Sequence, residues 1–243
     1  MKVTIIGTGR MGHAIGSRAL AGGHEIDFIG THISKARELA DEMVGEGSVG
    51  ASEKVEAEIV VLAVPYTEAP HVVRQHAGQL RGTVIVDPTN PVDFSIVEPL
   101  DRDWIGAFGS GAELIAAEAP DAAAFVKAFN TNFAGPLLVG EVGGQPLDVF
   151  VAGDDEEAKR KVMQLVGDGG MRAIDAGRLA RARELEATAL LHMEIQGALD
   201  ARYASAIKVL TPRSQASRRG RHSGAELGTV EPRASARSQA LET

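Results

Sequence analysis

An α/β fold with a doubly wound parallel sheet is what this 243-residue sequence predicts, and three observations carry it. Over the first 90 residues, strand-like and helix-like patterns alternate, as they do in βαβ units. The first strand-like run, Val3-Thr4-Ile5-Ile6, passes directly into Gly7-Thr8-Gly9-Arg10-Met11-Gly12, and a helical pattern follows. Hydrophobic residues make up 44% of the chain with only 4% aromatics, enough for a packed core built mostly of Ala, Val, Leu and Ile.

In chain order, strands are expected at 2–6, 25–29, 59–64 and 83–87, with helices at 12–22, 34–44 and 67–80 between them and Ser34 capping the second helix. Further strands fit Phe125 to Phe129, Leu147 to Ala152 and Met171 to Ile174. Asp154-Asp155-Glu156-Glu157 places four carboxylates at the start of a helix running to about Val166, where they offset the positive end of its dipole. Adjacent carboxylates in a first turn point in different directions, so capping is favoured over a metal site. From Leu179 to Leu210 there is no proline and the only glycine is Gly197, so this segment reads as one long helix, or two with a bend. Its apolar stripe includes Leu185, Ala189, Met193 and Leu199, with His192 and Gln196 beside it.

The glycine spacing has a chemical meaning in this context. Gly7 permits a tight turn, Gly9 lets backbone approach a pyrophosphate, and Gly12 lets the helix pack closely on the strand. The free N–H groups and positive dipole end of that helix then face the phosphates. Gly7, Thr8, Gly9, Arg10, Met11 and Gly12 are therefore the expected dinucleotide loop of a Rossmann-type domain. Where such domains bind NAD, an acidic residue closes the second strand and holds the ribose hydroxyls. Here that strand end reads Gly30-Thr31-His32-Ile33-Ser34-Lys35, without a carboxylate, and Asp27 lies inside the strand. Thr31, His32, Ser34 and Lys35 offer donors suited to a 2′-phosphate, which points to NADP; the alternative is a merely solvated loop. Ala63-Val64-Pro65-Tyr66 and Asp87-Pro88-Thr89-Asn90-Pro91 end two further strands at the sheet edge where ligands bind, so Ala63, Val64, Pro65 and Asn90 are expected around the nicotinamide ribose and ring.

Composition excludes several other classes. The sequence has no cysteine, so disulfides, thiolate nucleophiles and cysteine metal sites are out, and no His pair sits in a metal-ligand motif. No metal site is expected, and redox chemistry must come from a cofactor. No apolar run approaches the ~20 residues of a membrane span, and the first residues enter a strand at once, which predicts a cytoplasmic protein without a membrane partner. The net charge is −8, but residues 211–243 carry six Arg against three Glu, a local +3 that leaves −11 on residues 1–210. Nucleic acid is accordingly not an expected partner of the body. The tail, rich in Ser, Arg, Ala and Gly and without aromatic residues, is expected to be disordered.

The residues resemble the NADPH-dependent reductases of the 8-hydroxy-5-deazaflavin coenzyme F-420, whose dinucleotide domain is similar to that of membrane ferrireductases. The match spans about residues 1–210. Besides the glycine loop it rests on His24-Glu25-Ile26 leading to Gly30-Thr31-His32, on Ala63-Val64-Pro65-Tyr66, and on Val126-Lys127-Ala128-Phe129-Asn130-Thr131. It continues through Val151-Ala152-Gly153-Asp154-Asp155, Ile174-Asp175-Ala176-Gly177, Ala182-Arg183-Glu184-Leu185-Glu186 and Ala206-Ile207-Lys208-Val209-Leu210. Two departures stand out: Thr31-His32 replaces the family's common Ser-Arg, and Asn130-Thr131-Asn132-Phe133 replaces His-Thr-Ile-Pro, whose first and third residues border the deazaflavin. The tail is also foreign to the family pattern.

The resemblance implies hydride transfer between C4 of the nicotinamide and C5 of a stacked deazaflavin, chemistry that needs positioning rather than a nucleophile. It implies Asn130 and Thr131 as polar contacts to the rings, Phe133 as an apolar wall, and His192 as a possible donor to substrate, with a satisfied core or interface histidine as the alternative. It further implies a homodimer with the final helix as a plausible interface. The resulting expectation is a Rossmann-type NADP-binding domain over 1–125, a small C-terminal α/β extension over 126–210 that ends in the long helix and serves substrate and dimerisation, and a disordered basic tail over 211–243. Alternatives in function are an imine or pyrroline-type reductase, disfavoured because no large helical domain follows, and a non-catalytic NADP-binding sensor.

Overall fold

The computed structural model describes residues 1–43, 47–93, 98–99 and 109–211, and the predicted disordered tail thus lies almost wholly outside the described residues. The chain divides into two compact units, Met1–Val209 and Leu210–Thr243. The first unit runs β1 (Lys2–Ile6), α1 (Arg10–Ala21), β2 (Glu25–Ile29), α2 (Ile33–Glu42), β3 (Ser48–Ala51), β4 (Ile59–Leu62), α3 (Ala69–His76), β5 (Val84–Asp87), β6 (Val92–Asp93) and β7 (Glu98–Pro99). It continues with α4 (Gly111–Ala116), β8 (Ala124–Ala128), α5 (Ala134–Val139), β9 (Glu141–Val142), β10 (Gln145–Pro146), β11 (Asp148–Gly153), α6 (Glu156–Asp168), β12 (Arg172–Gly177), α7 (Ala182–Glu194) and α8 (Gln196–Leu199).

One eight-stranded sheet, in the order β12-β11-β8-β5-β4-β1-β2-β3, organises the unit. From β3 to β8 every pairing is parallel, whereas β11 runs antiparallel to β8 and β12 runs parallel to β11. The C-terminal extension is therefore not a separate layer: residues 126–177 widen the sheet of the dinucleotide half. Alternate residues along the strands feed two cores. Val3, Ile5, Ile26, Phe28, Val61 and Val86 face a cluster closed by α1, α2 and α6, while Ile6, Ile29, Val60, Leu62 and Ile85 face one closed by α3 and α4. Burial on both faces explains the unbroken apolar run of β4, each of whose side chains contributes roughly 1.5–3 kcal/mol.

Most expected elements lie within a few residues of their predicted places, and the exceptions have physical reasons. The third helix begins with a 3-10 turn at Tyr66–Glu68, because Pro70 fits only the first turn of the α-helix that follows. The N-cap position of α2 is His32, with no side-chain cap, so Ser34 sits inside the first turn and does not cap it. At α6, Asp155 accepts from the Ala158 N–H (2.8 Å), Asp154 pairs with Arg178 (3.0 Å) and Glu156 with Lys159 (2.9 Å), so the acidic cluster caps its helix and dispersed partners take the rest. Strand β3 was not foreseen: Ser48-Val49-Gly50-Ala51 is short and carries a glycine.

The largest difference is at the end of the unit. The segment 179–210 is not one helix: α7 stops at Glu194, α8 adds one turn, and Asp200 (φ +46°), Arg202 (φ +46°) and Tyr203 (φ +62°) reverse the chain in left-handed conformation. Nothing in the sequence marks the reversal with Gly or Pro. Long-range bonds impose it: Gln196 Oε1 accepts from the Tyr203 N–H (3.1 Å), and Asp148 receives Lys208 Nζ (2.6 Å) and the Val209 N–H (2.8 Å). Residues 200–209 thus form a strap lying back over the start of β11.

Candidate active site

The carboxyl ends of β1, β4, β5 and β8 open onto a cleft of about 1050 Å³. One side is the amino terminus of α1. Its N-cap position is Gly9, which makes no side-chain cap, and the first turn holds no acidic residue, so the free N–H groups and positive dipole end suit an anion. Gly7 has φ +118°, and a Cβ there would collide with the Ala63 carbonyl oxygen; a Cβ at Gly12 would collide with the Gly7 carbonyl. These two glycines seat α1 against β1 and β4. At Gly9, by contrast, a Cβ meets nothing within 4 Å, which leaves the open face a pyrophosphate needs. Gly9, Arg10 and Met11 line the cleft, as do Ala63, Val64, Pro65 and Asn90, while Gly7, Thr8 and Gly12 support it from behind. Thr8 packs toward Gly30, placing the β2 end beside the glycine loop, and Thr31, His32 and Lys35 lie exposed at the uncapped start of α2, outside the cleft itself.

The floor is fixed by a buried charge cluster. Lys127, in the apolar strand β8 and fully buried, donates to Asp87 Oδ2 (2.8 Å) and to the Thr89 carbonyl (2.6 Å), and pairs with Glu186 Oε1 (3.0 Å). Asp87 Oδ1 accepts from the Thr89 N–H (2.8 Å), so both backbone groups of Thr89 are pinned. Glu186 also accepts from the N–H groups of Gly111 (2.9 Å) and Ala112 (3.0 Å). Burial pulls the Lys127 ammonium toward a lower pKa, but Asp87 and Glu186 outweigh it and hold the value above the ordinary one. Lys127 is a permanent cation with every proton engaged, suited to holding geometry and not to donating a proton.

Above this cluster lie the polar residues of the cleft lining. Phe129 takes a left-handed conformation (φ +67°), turning the chain out of β8 into Asn130-Thr131-Asn132-Phe133. Asn130 Nδ2 donates to Asn90 Oδ1 (2.9 Å), and Asn90 Nδ2 donates to the Asn130 carbonyl (2.8 Å). Asn132 Nδ2 donates to the Asp148 carbonyl (3.0 Å). Thr89 Oγ1, Asn130 Oδ1 and Asn132 Oδ1 are buried without a hydrogen-bond partner among the described residues, and all three residues line the cleft. Each such orphan costs about 1–3 kcal/mol until a ligand or water engages it.

Thr131 and His192, two of the three expected catalytic residues, do not line the cleft. His192 Nδ1 lies 3.3 Å from the Thr131 carbonyl and Nε2 2.8 Å from Ser205 Oγ, and its ring stacks on Phe133 at 4.3 Å between centroids. Burial lowers its pKa, against the opposing pull of the Thr131 carbonyl, so the ring is neutral and ties α7 to the strap. Phe133 does form a wall, met edge-on by Tyr203 at 5.1 Å. Sequence reasoning missed the strap residues Arg202, Tyr203 and Ala204, which complete that wall, and missed the Asp87-Lys127-Glu186 cluster. The cluster had a signal: one lysine inside the apolar run Phe125-Val126-Lys127-Ala128-Phe129.

A Rossmann-type sheet with a glycine-loop helix, an anion-ready amino terminus and a ring-sized cleft at the strand ends defines a nucleotide-dependent oxidoreductase. The comparisons make that class particular. Residues 2–91 match the family described as NADP oxidoreductase, coenzyme F420-dependent. The F420-dependent NADP reductase of Methanothermobacter thermautotrophicus is 30% identical over 199 residues, spanning 76% of this chain and 85% of that protein. A solved structure from Arthrobacter sp. fb24, provisionally described as an F420-dependent NADP reductase, superposes with a TM-score of 0.69 at 28% identity, covering 82% of this chain and 95% of that one. The rat metalloreductase STEAP3 is 29% identical over 194 residues, which are 78% of this chain but 36% of that protein. The chain belongs to the F420-dependent NADP reductase family and is an NADP-dependent oxidoreductase. No helix among the described residues is long and apolar enough to cross a membrane.

Proposed function

We propose that the protein transfers a hydride between NADPH and a planar acceptor, coenzyme F-420 in the first instance. The observation that carries this reading is one continuous cleft that begins at the free amino terminus of α1 and ends at the Asn130–Phe133 wall, large enough at about 1050 Å³ for two stacked ring systems. NADPH supplies the hydride from C4, the acceptor carbon C5 receives it, and a ring nitrogen of the acceptor takes a proton from solvent. The protein's own residues bind, orient and exclude water. The α1 amino terminus and Arg10 take the pyrophosphate, while Thr31, His32 and Lys35, at a helix start without acidic residues, receive the 2′-phosphate. Pro65, Asn90 and Asn130 border the nicotinamide, and Phe133 with Tyr203 supports the face of the second ring. Holding two carbons roughly 3–3.5 Å apart in this way can supply about 7–11 kcal/mol of the barrier.

The same cleft would also admit a flavin, a ring system of similar size, as acceptor in place of the deazaflavin. A homodimer is part of the proposal. Of the predicted stripe, Leu185, Ala189 and Met193 are buried within the chain and only Leu199 is exposed; with Leu191 and Ile195 it forms an exposed apolar stripe along α7 and α8, and a second copy would cover it. Rapid mixing of the protein with NADPH and oxidised F-420, with NADH and with FMN in parallel, tests the function. Fast bleaching of the deazaflavin with NADPH alone is the expected result, and tight NADPH binding without bleaching of either ring would refute it.

A further inference from the structure

The turn that carries Asn130, Asn132 and Phe133 and the strap that carries Arg202, Tyr203 and Ala204 close the far end of the cleft, and both are held by Asp148, which does not line it. The Asp148 backbone carbonyl accepts from Asn132 Nδ2 (3.0 Å). Its buried side chain takes the end of the strap. Oδ1 accepts from Lys208 Nζ (2.6 Å) and Arg172 Nε (2.7 Å), and Oδ2 accepts from the Val209 N–H (2.8 Å) and Arg172 Nη2. Four donors thus fill the acceptor positions of one ionised carboxylate. Burial pushes the Asp148 carboxyl up, but the hydrogen bonds from Arg172, Lys208 and Val209 outweigh it and hold the pKa below the ordinary value. Lys208 also donates to the Pro146 carbonyl, and Arg172 to the Val209 carbonyl, so each of the two strap residues is bound at two points.

We propose that Asp148 is a positioning residue for the reaction: it sets the strap against the Asn130–Phe133 turn, and so the shape of the acceptor end of the cleft, while the dinucleotide end is independent of it. The inference rests on the hydride-transfer reading above, which puts the acceptor ring beside these walls, and deepens it. The two walls meet where Tyr203 stands edge-on to Phe133, and that contact inherits its geometry from the anchors behind it. His192, between the Thr131 carbonyl and Ser205, braces the same pair of segments nearer the middle of the strap. None of these bonds reaches the glycine loop or the Ala63–Tyr66 turn. An Asn in place of Asp148 has one oxygen, and whichever way it turns, its NH2 faces two of the four donors. The substitution therefore loses at least two hydrogen bonds. Arg172 and Lys208 are partly exposed and can turn to water, so no charge is left stranded in the core.

Variants of the full chain test this. Asp148→Asn removes the anchor, and Lys208→Met releases the strap while keeping the Asp148–Arg172 pair between β11 and β12. Lys159→Met breaks the Lys159–Asp175 pair between α6 and β12 and serves as the control for lost stability. The first two are expected to lose about tenfold in kcat/KM for the acceptor, oxidised F-420 or FMN, with the Kd for NADPH within about twofold. Lys159→Met should lower Tm and keep both constants. Trypsin supplies a readout without turnover: cleavage after Arg202 should quicken about fivefold or more in the two strap variants and not in the control. An unchanged kcat/KM would overturn the proposal, as would NADPH binding weakened as much as turnover, or an equal loss of kcat/KM in Lys159→Met, since lost stability would then account for everything. If Asp148→Asn does not fold, Lys208→Met decides alone. If wild type reduces neither ring, the hydride-transfer reading fails, and trypsin still decides whether Asp148 sets the strap: quickened cleavage upholds the anchor, and unchanged cleavage overturns it in either case.

Discussion

Asn90 and Asn130 clasp each other across the ends of β5 and β8 through two hydrogen bonds of 2.8 and 2.9 Å, one from each side-chain amide. The clasp ties the segment after β5 to the segment after β8 and fixes the orientation of the Asn130 amide in the cleft lining. Asn90→Ala frees that amide to rotate. The expected outcome is a fall in kcat of about tenfold, the value of one hydrogen bond near 1.4 kcal/mol, with the KM for NADPH within about threefold. Steady-state kinetics at saturating NADPH checks it; an unchanged kcat removes the clasp from the chemistry.

Gly9 and Gly12 sit three residues apart in the same motif and should fail in different ways. A Cβ at Gly9 meets no protein atom within 4 Å, whereas one at Gly12 runs into the Gly7 carbonyl. Gly9→Ala is therefore expected to keep the melting temperature within about 1 °C and to weaken NADPH binding more than tenfold by blocking the pyrophosphate. Gly12→Ala should lower the melting temperature by several degrees, about 1–3 kcal/mol of overpacking. Calorimetry with and without NADPH separates the two.

Lys127 holds together three elements that differ widely in sequence position. Lys127→Met leaves Asp87 and Glu186 buried without their cation, a loss of about 3–5 kcal/mol. For a unit of this size that is on the order of 10 °C in melting temperature. The combined variant Asp87→Asn, Lys127→Met, Glu186→Gln removes the uncompensated charge and is expected to recover most of the loss. Thermal melts of both variants give the answer, and equal melting temperatures would show that the charges do not determine the cost.

Acid should destabilise the fold before it reaches the carboxylate range. His24, His76 and His192 are each buried, and burial lowers the pKa of all three in the folded state. At His24 the Met1 ammonium adds to the effect while Asp168 opposes it. A depressed folded pKa means that the unfolded chain binds protons first. Stability is complete above the unfolded histidine value of about 6.5 and declines as pH falls below it toward the lowered folded values. The slope is bounded by about 1.4 kcal/mol per pH unit for each histidine. Urea midpoints at pH 7.5, 6.0 and 5.0 should fall in that order, and His192→Gln should flatten the decline.

The dinucleotide half was legible in the sequence because its determinants are local. Strand β1, the glycine loop and α1 are contiguous, and each glycine has a steric reason that a spacing can reveal. Asn130 was legible as part of a strand end. The acceptor half was not, because its geometry comes from contacts between distant residues. The stretch 179–210, with no proline and only Gly197 as a glycine, carries helical periodicity, yet Gln196, Asp148 and Arg172 turn its last third into a strap. His192, beside the apolar stripe, read either as a donor to substrate or as a satisfied core or interface histidine; only the position of Ser205, returned by the strap, shows both ring nitrogens engaged.

The strap also separates two properties that a melting curve merges. Its bonds to Asp148, Gln196 and His192 involve few residues, whereas the eight-stranded sheet beneath is cross-linked along its whole length. Fraying of 200–209 would remove Arg202, Tyr203 and Ala204 from the cleft without breaking a single strand pairing. Competence is thereby a shorter-lived state than foldedness: in amide exchange, the Tyr203 and Val209 protons should be lost well before those of β1 and β4, and that interval is the range over which the protein is folded and idle.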